Sequence, residues 1–230
     1  MFRYLLSGGF GSGFRDYLMG MLLSLPIILL SLTIHEVCHG LAAKKCGDPT
    51  AANLGRLTLN PLKHLDPIGF LCMLLFGFGW AKPVPINSRY FKKPRRDMAL
   101  TAAAGPAANL GLGILFGLLF ETVLTLVLRF GLTESNFFLL LLQFLQLGLI
   151  LNVYLAVFNL LPIPPFDGSR IFFVFLPVKW YYKIMKYERY IMIGVLILLY
   201  FGFLTGPLQT LAYAIVNGIL RLIRLIPFFV

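Results

Sequence analysis

The sequence predicts an all-α polytopic membrane protein. It has a three-helix core, a re-entrant or β-hairpin-like insertion after the first helix, and additional C-terminal transmembrane helices. Three observations carry this. Of the 230 residues, 59% are hydrophobic and only 13% are charged, whereas a water-soluble domain carries about 25% charged residues. Residues 18–34, 98–120, 135–166 and 190–220 contain no Asp, Glu, Lys or Arg, and a helix needs about 20 apolar residues to cross roughly 30 Å of hydrocarbon. Finally, basic residues gather between these runs: Lys82, Arg89, Lys92, Lys93, Arg95 and Arg96, then Lys179, Lys183, Lys186 and Arg189. Such loops read as cytoplasmic. The net charge of +11 therefore reflects orientation in a lipid bilayer, and no nucleic acid partner is expected.

The elements follow in order. Residues 1–16 form a short glycine-rich lead. No cleavable signal peptide is expected, because the first apolar run ends in ionisable residues, so the first span is retained. The first helix should cover about 17–43, with Pro26 a kink point. A polar stretch follows, with turn signals at Gly47-Asp48-Pro49 and Asn60-Pro61. Residues 68–78 are apolar but half a span long, which favours a re-entrant or interfacial segment. Both flanks of that segment are basic and so lie on one side. Pro83, Pro85 and Pro94 make the loop at 80–97 extended. Second and third helices are expected at about 98–129 and 136–161, joined by a short outside turn at 131–135. Pro162, Pro164 and Pro165 end the third helix. The C-terminal run, about 190–226, should split at Gly206-Pro207 into a hairpin or one span plus an interfacial helix. The whole chain, 1–230, reads as a single membrane-embedded domain with its core at about 17–170. The free cysteines Cys38, Cys46 and Cys72 have no paired spacing and imply no disulfide framework.

The chemistry is concentrated at the end of the first helix, in His35-Glu36-Val37-Cys38-His39. Residues four apart stand on one helix face, so two imidazoles can share a tetrahedral zinc ion while Glu36 serves as general base. Ionisable groups inside a membrane helix cost about 3 kcal/mol each on insertion scales, and a divalent cation offsets that. A catalytic zinc site takes a third protein ligand. Asp167 is the best candidate, since it closes the uncharged run after the third helix in a proline-broken segment, which membranes accept only where protein or a water-filled cavity covers it. The alternative for Asp167 is a solvated turn residue.

HEVCH at 35–39, AAAGPAANL at 102–110 and NLLPIPPFDG at 159–168 together resemble the site-2 protease family of intramembrane zinc metalloproteases. The likeness covers about residues 31–170. It implies that His35, His39 and Asp167 bind Zn2+, that Glu36 is the catalytic base, and that Asn159 helps hold substrate or transition state. It also implies a zinc metalloendopeptidase that cuts transmembrane protein substrates near the cytosolic face, in a multi-pass cell-membrane protein. RLTLNPLKHLDPIG and GWAKPVPIN are similar to the compact branch without PDZ or CBS domains.

Other residues are read more plainly. His64 and Asp66 suit a loop-stabilising role better than ligation, and Cys38 suits packing. Gly105-Pro106 marks a close-packed point. Asn109 is either site lining or helix–helix glue. Glu121 and Arg129 read as structural, and Gln143, Gln146 and Asn152 as interhelical hydrogen-bond partners. The rival reading is a non-catalytic metal-binding membrane protein or cation transporter. It leaves Glu36 without a use, and no internal repeat of the transporter kind is present.

Overall fold

The computed structural model describes residues 14–76 and 79–229. The glycine-rich lead up to residue 13 and the end of the apolar segment at 77–78 lie outside the described residues. The three core helices form as expected: α1 (Phe14–Lys45), then, after a one-turn α2 (Thr50–Asn53) and α3 (Pro67–Phe76), α4 (Pro94–Arg129) and α5 (Asn136–Asn159). Short helices α6 (Asp167–Phe172), α7 (Val178–Lys186) and α8 (Glu188–Tyr200) lead to α9 (Thr205–Ile223).

The stretch Met19–Lys45 of α1, and the whole of α4 and α5, are long and apolar enough to cross a membrane. Leu22, Leu115, Leu119 and Leu139 stay exposed on their flanks, which suits acyl chains rather than water. α1 continues unbroken through Pro26, and α4 through Pro106. α4 is the central helix, in contact with α1, α5, α6 and α9. Phe116, Leu145, Leu149 and Val153 pack against Leu208, Ala212 and Val216 of α9, while Ile27 and Ile28 of α1 pack against Leu151 of α5.

The insertion differs in detail from expectation. Residues 67–76 are helical, and the only strand-like pairing among the described residues is an isolated bridge between Leu65 and Ala81. The C-terminal run breaks at 201–204, earlier than Gly206-Pro207. Gly202 takes a φ of 84° there, a left-handed turn that glycine adopts freely. Pro207 instead lies in the first turn of α9, where a helix has no need of its N–H. The basic stretch at 179–189, read from sequence as a loop, contains α7. Lys179, Lys183 and Lys186 recur at helical spacing there, with Lys183 Nζ 5.3 Å from the Trp180 ring centroid.

Candidate metal centre

Three chain segments converge at one end of the bundle. His35 and His39 lie one turn apart on α1, and both are 6% exposed. Asp167 opens α6, which the chain reaches by turning back after α5. A Cβ on Gly168 would lie 2.2 Å from the Leu160 carbonyl oxygen, so only glycine lets the chain fold this tightly onto the end of α5 and deliver Asp167. The third wall is α4. A Cβ on Gly105 would lie 2.4 Å from His39 Nε2 and 2.6 Å from His35 Cε1, so the ligand edges of both imidazoles rest on bare backbone.

The ligand atoms face one another. His35 Nε2 and His39 Nε2 are 2.9 Å apart, and each is 3.1 Å from Asp167 Oδ2. Among the described residues this is the only group of three or more His, Cys, Asp or Glu side chains placed to hold a metal. Ligands about 2.0–2.1 Å from a tetrahedral zinc ion lie about 3.3 Å from each other, close to these separations. The tautomer agrees. His39 Nδ1 lies 2.7 Å from the Thr101 carbonyl oxygen, so Nδ1 carries the proton and the Nε2 lone pair points at Asp167. A lone pair aimed at a carboxylate is unfavourable unless a cation lies between them, so the donor set fits a divalent metal. Burial works against the charged Asp167 carboxyl. A divalent cation between the carboxyl and the two imidazoles would offset that cost, and a carboxylate holds such an ion in its ionised form.

Glu36 lies on the same helix, half-buried, and its Oε2 accepts a 2.7 Å hydrogen bond from Val84 N–H. Val84 belongs to the extended loop after the insertion, a partner the sequence did not reveal. Asn159 ends α5 and donates Nδ2–H to its own helix at Leu155 O, 3.0 Å away. His64 and Asp66 take the structural role: His64 Nε2 is 2.9 Å from Thr58 O, and Asp66 Oδ1 accepts from Gly69 N–H at 2.8 Å as α3 begins. Asn152 donates within its own helix, to Gly148 O. Glu121 is 3% exposed and pairs with Arg224, whose Nη2 lies 2.7 Å away.

The family model for Peptidase family M50 matches residues 24–201. The chain belongs to that family, the site-2 proteases. YwhC of Bacillus subtilis, provisionally named a zinc metalloprotease, is 44% identical over 74% of this chain and 77% of its own length. Rip2 of Mycolicibacterium smegmatis, with the same provisional name, is 34% identical over 61% of this chain, a match that spans 52% of Rip2. MJ0611 of Methanocaldococcus jannaschii, named likewise, is 28% identical over 69% of this chain and 70% of its length. No PDZ or CBS domain is matched, and no solved structure matches the chain. This M50 protein is a multi-pass membrane zinc metalloprotease, which sets aside the transporter reading.

Proposed function

We propose that the M50 protein hydrolyses peptide bonds of transmembrane protein substrates near the cytoplasmic face of the cell membrane. His35, His39 and Asp167 hold the zinc ion and Glu36 is the general base. The whole chain acts as one membrane-embedded protease domain. The observation that carries this reading is the convergence of two His Nε2 atoms and Asp167 Oδ2 within 3.1 Å of one another, against a helix backbone that Gly105 leaves bare. When bound, zinc lowers the pKa of its water to about 7 and polarises the scissile carbonyl. Val84 N–H fixes one oxygen of Glu36, leaving Oε1 to take a proton from the attacking water and return it to the leaving amine nitrogen. Asn159, at the end of α5, holds the substrate backbone. Lys82, Lys92 and Lys93 lie on the loop before α4, and Arg95 and Arg96 in its first turn, which supports a cytoplasmic opening.

The test uses purified full-length protein and a helical membrane substrate in detergent or vesicles. Wild type should carry about one zinc per chain, and His35→Ala and Asp167→Ala should lose it. Glu36→Gln should keep the zinc and lose at least about 100-fold in cleavage rate, the lower end of what general acid–base catalysis contributes. Zinc retained at full occupancy in Asp167→Ala, or near wild-type cleavage by Glu36→Gln, would overturn the assignment.

A further inference from the structure

A histidine that gives Nε2 to a metal keeps its proton on Nδ1, and in a buried site that N–H needs an acceptor. His39 has one in the Thr101 carbonyl. His35 Nδ1 is buried without a hydrogen-bond partner. Besides Thr101 Oγ1, one turn before Gly105, three more buried side-chain atoms without partners lie on the two helices packed against α1: Asn109 Oδ1 and Nδ2 on α4, and Asn152 Oδ1 on α5. Both asparagines are 0% exposed. The four atoms are complementary, with two donors, His35 Nδ1–H and Asn109 Nδ2–H, and two acceptors, Asn109 Oδ1 and Asn152 Oδ1.

Their placement matches this pairing. Gly105, against which the His35 ring rests, is one turn before Asn109 on the same face of α4. A helical side chain leans back over the turn preceding it, which carries the Asn109 amide towards the His35 ring. One turn further along that face, a Cβ on Gly113 would lie 3.6 Å from Asn152 Cβ. Asn109 therefore stands between the contact with His35 and the contact with Asn152. Asn152 Nδ2 already donates to Gly148 O at 2.9 Å, so its Oδ1 is the end left to accept.

We propose that Asn109 is a positioning residue linking His35 to Asn152, each bond closing through one water or a small rotation of the amide. Its Oδ1 accepts from His35 Nδ1–H and its Nδ2–H donates to Asn152 Oδ1. The link locks the His35 tautomer from the far side of the ring, as the Thr101 carbonyl locks His39, and it rests on His35 being a zinc ligand. An amide suits the position because it offers a donor and an acceptor together. Aspartate keeps the acceptor alone, and leucine keeps neither.

The experiment measures zinc affinity of the full chain by chelator competition, together with the imidazole N–H resonances of nitrogen-15 labelled histidines. Asn109→Leu should weaken zinc about 10- to 100-fold, the range seen when a ligand histidine loses its outer partner. Asn109→Asp should stay within a few-fold of wild type. The His35 Nδ1–H resonance should move in both variants while that of His39 stays put, a separation that loosened packing does not produce. Asn109→Leu holding zinc within threefold of wild type would overturn the link, as would an unmoved His35 resonance in Asn109→Asp, and the latter decides if the leucine variant does not fold. His35→Ala in the same titration guards the underlying assignment. If that variant retains zinc, the ligand reading fails. If it loses zinc while Asn109→Leu does not, only the link fails.

Discussion

Val84 stands between Pro83 and Pro85, and since proline has no N–H, its amide is the only backbone donor of those three residues. That amide holds Glu36. The flanking prolines also favour an extended chain, so the loop presents a single N–H in a fixed direction. Val84→Pro should leave zinc content and KM unchanged while lowering kcat about tenfold, in line with the roughly 1.5–3 kcal/mol of a hydrogen bond to a charged group. An unchanged kcat in steady-state cleavage would mean that Val84 does not orient the base. Gly105 gives a sharper steric test. Gly105→Ala puts a methyl 2.4 Å from His39 Nε2, so the imidazoles must move. Zinc affinity, read by chelator competition, should fall about 10-fold or more. His35 and His39 were legible as candidates because residues four apart share a helix face, Glu36 because it adjoins them, and Asp167 because it closes a long uncharged run. The Val84 amide and the Thr101 carbonyl were not, since every residue type offers those backbone groups and only the packing of α1 against α4 and the loop selects which ones act.

The insertion is tied down by a residue that the sequence marked only as part of a turn. Asp48, fully buried just after α1, accepts hydrogen bonds from Thr50 N–H at 2.9 Å, from the Thr50 hydroxyl, and from Asn87 N–H at 2.6 Å. Asn87 follows the segment that carries Val84, so Asp48 holds the exit of α1 against the loop that orients Glu36. Burial pushes the Asp48 carboxyl up, but these donors outweigh it and hold it below the usual carboxylate range. A carboxyl depressed in the folded state stabilises the protein above its unfolded pKa, near 3.9. That contribution is lost as pH falls through the folded value. Wild type should therefore exceed Asp48→Asn by about 1 kcal/mol at pH 7. The gap should shrink as pH falls below about 4 in thermal unfolding, and a gap independent of pH would remove the charge from the explanation. At this scale the three spans were visible as uncharged runs. The exact C-terminal break was not, because Gly-Pro is compatible with a helix's first turn as well as with a loop. α7 was passed over because its lysines read first as loop charge rather than as one edge of a short helix.

The molecule as a whole is organised by the direction of its three spans. His39 at the end of α1 meets Thr101 near the start of α4, and Gly168 folds onto Leu160 at the end of α5. α1 and α5 therefore run towards the metal-site end and α4 runs away from it. Arg95 Nη2 reaches the Leu176 carbonyl at 3.0 Å, which ties the basic first turn of α4 to the segment after α6 at that same end. Alternation of the spans and the charge bias both support the proposed orientation, in which the site and both basic stretches face the cytoplasm. An odd number of crossings by the insertion would put His35 and Asp167 on opposite faces. The observed α3, ten residues long, spans about 15 Å and is too short to cross roughly 30 Å of hydrocarbon. Single cysteines at Thr133, Lys93 and Lys183, all exposed positions, test this in a background with Cys38, Cys46 and Cys72 replaced. In intact cells an impermeant maleimide should label position 133 strongly and leave 93 and 183 unlabelled until the membrane is opened. External labelling at both 93 and 183, with 133 protected, would overturn this orientation: either the protein is inverted or the insertion crosses and parts His35 from Asp167. Labelling at only one of the two basic stretches would mean that the chain between them crosses an odd number of times, which breaks the alternation of α4 and α5 on which the shared site rests.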